Sequence, residues 1–167
     1  RIENMIVGGS QERAKRGATL NVPPIAGFGK AVEIAVRDIV INQQKLRSER
    51  DYFIRSLEEK LDYTSVNGHP HQKVNGILNM SFDMVDNESL LMLLDMDGVA
   101  VSIGSACTSN SPEPSHVLKA MGLDDSTIKS CFIISFGKNI SRRDIDYVVD
   151  VLTKAVTKLR SISAVSI

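Results

Sequence analysis

At 167 residues with 43% apolar content, the chain can build one core of ordinary size, with at most an appendage beside it. Twenty basic residues balance twenty acidic ones, so no global charge draws the chain to nucleic acid or to an anionic membrane, and any partner is recognised locally. The two cysteines, without a Cys-x-x-Cys pair or a signal peptide, point to reduced thiols in a reducing compartment rather than a disulfide framework. No apolar run approaches the length of a membrane span.

Arg1-Ile-Glu-Asn-Met-Ile-Val7 reads like the inside of a strand and has no initiator methionine, so the expectation is a piece of a longer protein. Gly8 to Pro24 follows as a loop of small residues, cations and a hydroxyl. In it Gly lets the backbone approach an anion, Arg13, Lys15 and Arg16 supply charge, and Thr19 offers a hydrogen bond to a phosphate oxygen. Its spacing fits neither of the nucleotide-binding glycine fingerprints, and on this ground alone an ordinary solvated basic loop is the better explanation. Pro23 and Pro24 then start a helix whose apolar positions, Ile25, Phe28, Val32, Ala35 and Ile39, recur at three- and four-residue steps and face a core. With Leu46, Phe53, Leu57 and Leu61 it continues as one long helix or two to about Leu61.

Tyr63 to Val66 and Ile77 to Phe82 read as strands, the second alternating Leu78, Met80 and Phe82 against Asn79 and Ser81. Between them His69 and His71 sit in a polar turn with no third ligand at metal-binding spacing, so no metal is expected. Asn87 to Gly98 is a short buried helix capped by Asp86 or Asn87, and Val99 to Ile103 a strand. A helix from Pro114 and Ser115 to Met121 comes next, ended by Gly122. A strand from Cys131 to Phe136 then buries the Cys131 thiol as an inert group. Ser141 and Asp144 form a capping box for a final helix with one apolar stripe from Ile145 to Leu159. The order of elements describes a two-layer α+β lobe without internal repeats.

The chemistry concentrates in Gly104-Ser-Ala-Cys-Thr-Ser-Asn-Ser111, whose small polar residues have too little side chain to bury and place Cys107 on an exposed segment. His116, nine residues on, is a possible base, but its place at a helix start equally suits capping and packing. A Cys-His hydrolase also wants an orienting partner and an oxyanion hole, and the sequence identifies neither. A thiol among Gly and Ser suits carrying a group more than attacking from a fixed post, which ranks sulfur or acyl transfer above proteolysis.

Gly104-Ser-Ala-Cys-Thr-Ser109, followed by Glu113-Pro-Ser-His-Val-Leu118, resembles the catalytic-cysteine loop of the NifS/IscS-like cysteine desulfurases of the class V aminotransferase family. Gly8-Gly-Ser-Gln-Glu-Arg13, Arg16 to Pro23 and Gly27-Phe-Gly-Lys-Ala31 look like that family's phosphate-contacting loop and the start of its long helix. Asn79-Met-Ser-Phe82 and Ser135-Phe-Gly-Lys138 fit its later strands. The resemblance implies a fold-type I, aspartate-aminotransferase-like enzyme that uses pyridoxal 5'-phosphate. Residues 1–24 would be the end of the α/β large domain, 25–61 the connecting helix, and 62–167 the small α+β domain carrying the cysteine loop.

It further implies a homodimer that takes sulfur from L-cysteine, leaves L-alanine and passes the sulfur to an acceptor or iron-sulfur scaffold protein. By this carry-over Cys107 is the nucleophile and persulfide carrier, and Thr19 binds the cofactor phosphate of the other subunit. The family's cofactor lysine belongs upstream of these residues, so this chain alone is expected to be inactive. Gly17-Ala18 replaces the usual Ser-Gly before the threonine. The arginine that clamps the substrate carboxylate in this family is replaced by Ile133, which cannot form a bidentate ion pair. A divergent or non-catalytic member that scaffolds or regulates sulfur transfer is the alternative this substitution leaves open.

Overall fold

The computed structural model describes residues 3–104 and 114–162. They group into two compact units, residues 1–40 and 41–167.

In the first unit residues 3–7 form no strand. A strand needs a ladder to pair with, and the only sheet among the described residues is completed by other segments. The loop after Gly8 contains a one-turn helix, α1 (Gln11–Ala14), in which Glu12, Arg13 and Ala14 take left-handed φ angles of 52, 57 and 56°. Side chains with a Cβ rarely hold that conformation in succession, so the turn stores strain. The loop is pinned where Gly17 passes Gly8. A Cβ at Gly17 would lie 2.7 Å from the Gly8 nitrogen, and the Gly17 amide donates to the Ile6 carbonyl at 3.0 Å.

A single helix follows, α2 (Val22–Glu58, 37 residues), so the two apolar patterns read from the sequence belong to one element. Its halves meet different fates. Phe53 and Leu57 are buried, whereas Ile25, Phe28, Val32 and Ile39 are exposed, Phe28 at 73%. The expectation that these four face a core is therefore corrected, because no other described element of the first unit covers them.

The second unit is built on a three-stranded antiparallel sheet, β1 (Thr64–Asn67), β2 (Ile77–Phe82) and β3 (Cys131–Ser135), with β2 in the middle. The period of two sends Leu78, Met80, Phe82, Phe132 and Ile134 to one face, where they are buried in a single cluster. There they meet Phe53 and Leu57 of α2, Leu90 and Leu94 of α3 (Asn87–Met96), and Ile145, Val149, Leu152 and Val156 of α6 (Arg142–Ile162). Edge-on pairs Phe53–Phe136 and Phe82–Phe132, with ring centroids 5.6 and 5.8 Å apart, add directionality to that burial.

The caps follow the sequence. Asp86 accepts from the Ser89 amide at the head of α3, and Ser141 and Asp144 bond reciprocally at the head of α6. Gly98 and Gly122, at φ of 72 and 89°, close the turns after α3 and after α4 (His116–Ala120). A further short helix absent from the sequence reading, α5 (Asp125–Ile128), is capped by Asp124. Its carboxylate accepts from the Ser126 and Thr127 amides and side chains, which holds it well below the usual carboxylate range. The expected strand over Val99 to Ile103 shrinks to one bridge, Ser102 with Ile133.

Arg160 closes the second unit. Its guanidinium donates to the carbonyls of Asp62 (2.8 Å), Tyr63 (3.0 Å) and Asp83 (3.1 Å), gathering the chain entering β1 and the chain leaving β2. Two of the residues in those turns, Tyr63 and Met84, hold left-handed φ of 55 and 66°. Replacing Arg160 by Met keeps the aliphatic stem and leaves these carbonyls to water. The expected cost is about 2 kcal/mol, since hydrogen bonds from a charged donor contribute more than neutral ones, read as a lowered urea midpoint at unchanged slope.

Candidate functional site

The sheet face turned away from the core carries the side chains that matter for chemistry. Register places Ser81 opposite Cys131, and Asn79 between Asn67 on β1 and Ile133 on β3. Ser102 bridges to the far side of Ile133 by a reciprocal backbone pair, with N···O of 3.1 and 2.6 Å. Its hydroxyl donates to the Gly104 carbonyl at 2.8 Å, turning the chain out of the sheet at the entrance to the cysteine loop. Beyond the loop, the Ser115 hydroxyl caps α4 through the Leu118 amide at 3.5 Å. Both stems of the segment are thus tied into ordered structure, while Cys107 itself lies outside the described residues.

His116 is the first residue of α4 and is exposed. Ser115 rather than the imidazole does the capping, and the ring makes no hydrogen bond, ion pair or ring contact among the described residues.

Cys131 behaves as a structural thiol. It is 2% exposed, receives a hydrogen bond from Asn67 Nδ2 at 3.3 Å and donates to the Thr127 carbonyl at 3.2 Å. Burial pushes its pKa up, away from the thiolate that nucleophilic chemistry needs, and only the Asn67 hydrogen bond acts in the opposite sense. Beside it the Ser81 hydroxyl is buried without a partner among the described residues.

His69 Nδ1 accepts from the backbone amides of His71 and Gln72, which makes the histidine pair a turn lock. Among the described residues no three His, Cys, Asp or Glu side chains come together as a metal cluster, and no helix is long and apolar enough to cross a membrane.

In the first unit, Arg16 Nη1 donates to the carbonyls of Gly17, Ala18 and Thr19 at 2.9–3.1 Å, so this cation is spent on shaping its own loop. Thr19 is exposed. Its hydroxyl, and the side chains of Arg13 and Lys15, have no partner among the described residues. A free hydroxyl and two free cations on a loop held shut by the Gly8–Gly17 approach fit the phosphate of a bound cofactor. Ile133 is half-buried on the outer sheet face, where an arginine would have pointed away from the core.

Sequence reasoning missed Lys73 on this face, because its place near Ile77 and Asn79 depends on the course of the loop 68–76.

Comparison with known proteins gives the family. Residues 4–148 match the family described as Aminotransferase class-V. Cysteine desulfurase IscS of Dictyoglomus turgidum is 40% identical over 163 residues, covering 98% of this chain and 41% of that protein. Cysteine desulfurase IscS of Methanosarcina thermophila is 41% identical, covering 98% and 40%. Among solved structures, a NifS-like protein superposes with a TM-score of 0.76 at 27% identity, over 94% of this chain and 40% of its own. The NifS-like protein of Rickettsia africae gives the same TM-score at 25% identity, over 94% and 41%.

The fold is therefore an α+β piece of a fold-type I pyridoxal-phosphate enzyme. The chain belongs to the aminotransferase class-V family, with NifS/IscS-like cysteine desulfurases as its relatives, and spans about two-fifths of the length of the curated relatives it matches.

The contrast between the two cysteines can be checked by iodoacetamide labelling of the intact gene product at neutral pH. Cys131 is expected to stay unlabelled while the protein is folded and to react once it is unfolded in guanidinium, as read by peptide mass mapping.

Proposed function

We propose that this chain is the C-terminal portion of a pyridoxal-phosphate-dependent cysteine desulfurase that moves sulfur from L-cysteine to an acceptor protein as a persulfide on Cys107. The observation that carries the reading is Gly104-Ser-Ala-Cys-Thr-Ser109. It sits between two anchored stems in a chain 40% identical to cysteine desulfurases IscS. The acceptor is an iron-sulfur scaffold or a related sulfur carrier, and the working enzyme is a homodimer. It acts in the cytoplasm, or in the mitochondrion of a eukaryote.

Thr19 holds the cofactor phosphate across the dimer, with Arg13 and Lys15 adding charge. When bound, the cofactor supplies the electron sink that makes the carbon–sulfur bond of the substrate breakable. This chain's own part is nucleophilic. The Cys107 thiolate attacks the substrate sulfur, a sulfur–sulfur bond forms as the carbon–sulfur bond breaks, and that bond's electron pair passes to the β-carbon. The carbon takes a proton and leaves as the methyl of L-alanine, reduced as the Cys107 sulfur is oxidised. An acceptor thiolate then takes the terminal sulfur and returns Cys107 to its thiolate.

Small residues around Cys107 suit this role, since the sulfur must travel from a cofactor site to a partner's surface. The cofactor lysine is supplied from outside these residues.

A second reading, a non-catalytic member that scaffolds sulfur transfer, draws support from Ile133 on the outer face of β3, where the resemblance calls for a carboxylate-clamping arginine.

Cys107→Ser in the intact gene product separates the two. The enzyme reading expects alanine formation from L-cysteine to fall by at least ~10⁴-fold, the scale on which deleting a nucleophile acts, with Cys131→Ser near wild type. Alanine formation that survives Cys107→Ser would overturn the assignment.

A further inference from the structure

The outer sheet face holds a groove of about 260 Å³ between β2 and the loop 68–76, lined by Asn67, Lys73, Val74, Ile77, Leu78 and Asn79. Three features of this lining point to one kind of ligand.

The first is Lys73, which is half-buried although its ammonium makes neither hydrogen bond nor ion pair among the described residues. A lysine stem can be covered while its ammonium stays at the surface, and this ammonium is a charge that no described group neutralises, so an anion in the groove would meet it directly.

The second is the orientation of Asn79. Asn67 Nδ2 donates to Asn79 Oδ1 at 2.7 Å, which engages the acceptor end of that amide and leaves Asn79 Nδ2 as a donor with no partner among the described residues. The lining thus offers two unused donors and contains no carboxylate of its own.

The third is the wall beside them, where Val74 and Ile77 are 63% and 52% exposed. One ammonium and one neutral amide match a monoanion better than a phosphate dianion, and the apolar wall asks for a short carbon chain attached to it.

We propose that this groove binds a small organic carboxylate, with Lys73 Nζ and Asn79 Nδ2 on its oxygens and its carbon chain against Val74 and Ile77. Asn79 pairs directly with Ile133, so the site lies next to the strand position that has lost its arginine in the resemblance described above. The groove needs no guanidinium at residue 133, because its charge comes from the loop. Only the identity of the acid rests on the desulfurase reading: either the sulfur-donating amino acid or a separate small acid carries the carboxylate.

The test is isothermal titration of the intact gene product with propionate and with its uncharged analogue propionamide. Propionate is expected to bind at least about tenfold more tightly, the scale of a charge-assisted hydrogen bond. Lys73→Gln is expected to abolish that preference, Lys73→Arg to keep it, and Asn79→Ala to weaken it.

Equal binding of acid and amide, or a preference that survives Lys73→Gln, would overturn the proposal. Alanine formation from L-cysteine names the source. A KM raised about tenfold by Lys73→Gln at unchanged kcat identifies the substrate, and an unchanged KM with propionate binding lost identifies a separate acid. A gene product that forms no alanine at all would end the desulfurase reading while leaving the titration to decide the groove.

Discussion

Strand β2 is paired on both edges and divides its side chains by a period of two, and the rest of the second unit depends on that division. Leu78, Met80 and Phe82 enter the core, and Asn79 and Ser81 face the other way. A slip of one residue would bury the amide and expose three large apolar side chains, so the register is fixed by burial. Once it is fixed, Cys131 and Ile133 on β3 and Asn67 on β1 are placed opposite partners on the outer face without any further choice. The chemistry available on that face is therefore a by-product of how the core is packed.

The helices behind the sheet hold this arrangement from several directions. Tyr52 donates to Asp146 at 2.6 Å, and Arg142 stacks 3.9 Å from the Tyr52 ring centroid with its Nε 2.8 Å from Glu49 Oε2. These contacts tie the second half of α2 to the head of α6, and Arg160 at the other end of α6 gathers the turns flanking β1 and β2. A sheet clamped at both ends can hold the Ser102 bridge still. That bridge is the entrance stem of the cysteine segment, while the exit stem depends on the Ser115 cap.

Much of this was legible in the sequence, for physical reasons that can be named. The capping box of α6, the Asp86 cap, the Gly98 and Gly122 terminators and the alternation in β2 are local signals, and each appears where it was read. Cys131 was read as a buried thiol from its place in an apolar strand, and it is one.

What failed depended on partners distant in sequence. Residues 3–7 have strand-like composition but no ladder among the described residues. Val99 to Ile103 meets β3 at a single bridge, and the stripe of Ile25, Phe28, Val32 and Ile39 is apolar without a described element to cover it. Arg16 was read with Arg13 and Lys15 as a source of charge for an anion, yet the backbone carbonyls of its own loop claim it. The short α5 had a readable signal in Asp124 with Ser126 and Thr127 just beyond, overlooked because the helix has only one turn. The donor pair of Lys73 and Asn79 had none, since it is the course of the loop 68–76 that brings them to one groove.

The central claim is that sulfur passes through Cys107 while Cys131 takes no part. It is tested most directly by treating the intact gene product with L-cysteine carrying heavy sulfur and mapping the label by mass spectrometry without reductant. The expected result is a gain of one heavy sulfur atom on the Cys107 peptide, none on the Cys131 peptide, and loss of the label when an acceptor thiol is added. Stoichiometric alanine with an unmodified Cys107 peptide would contradict it.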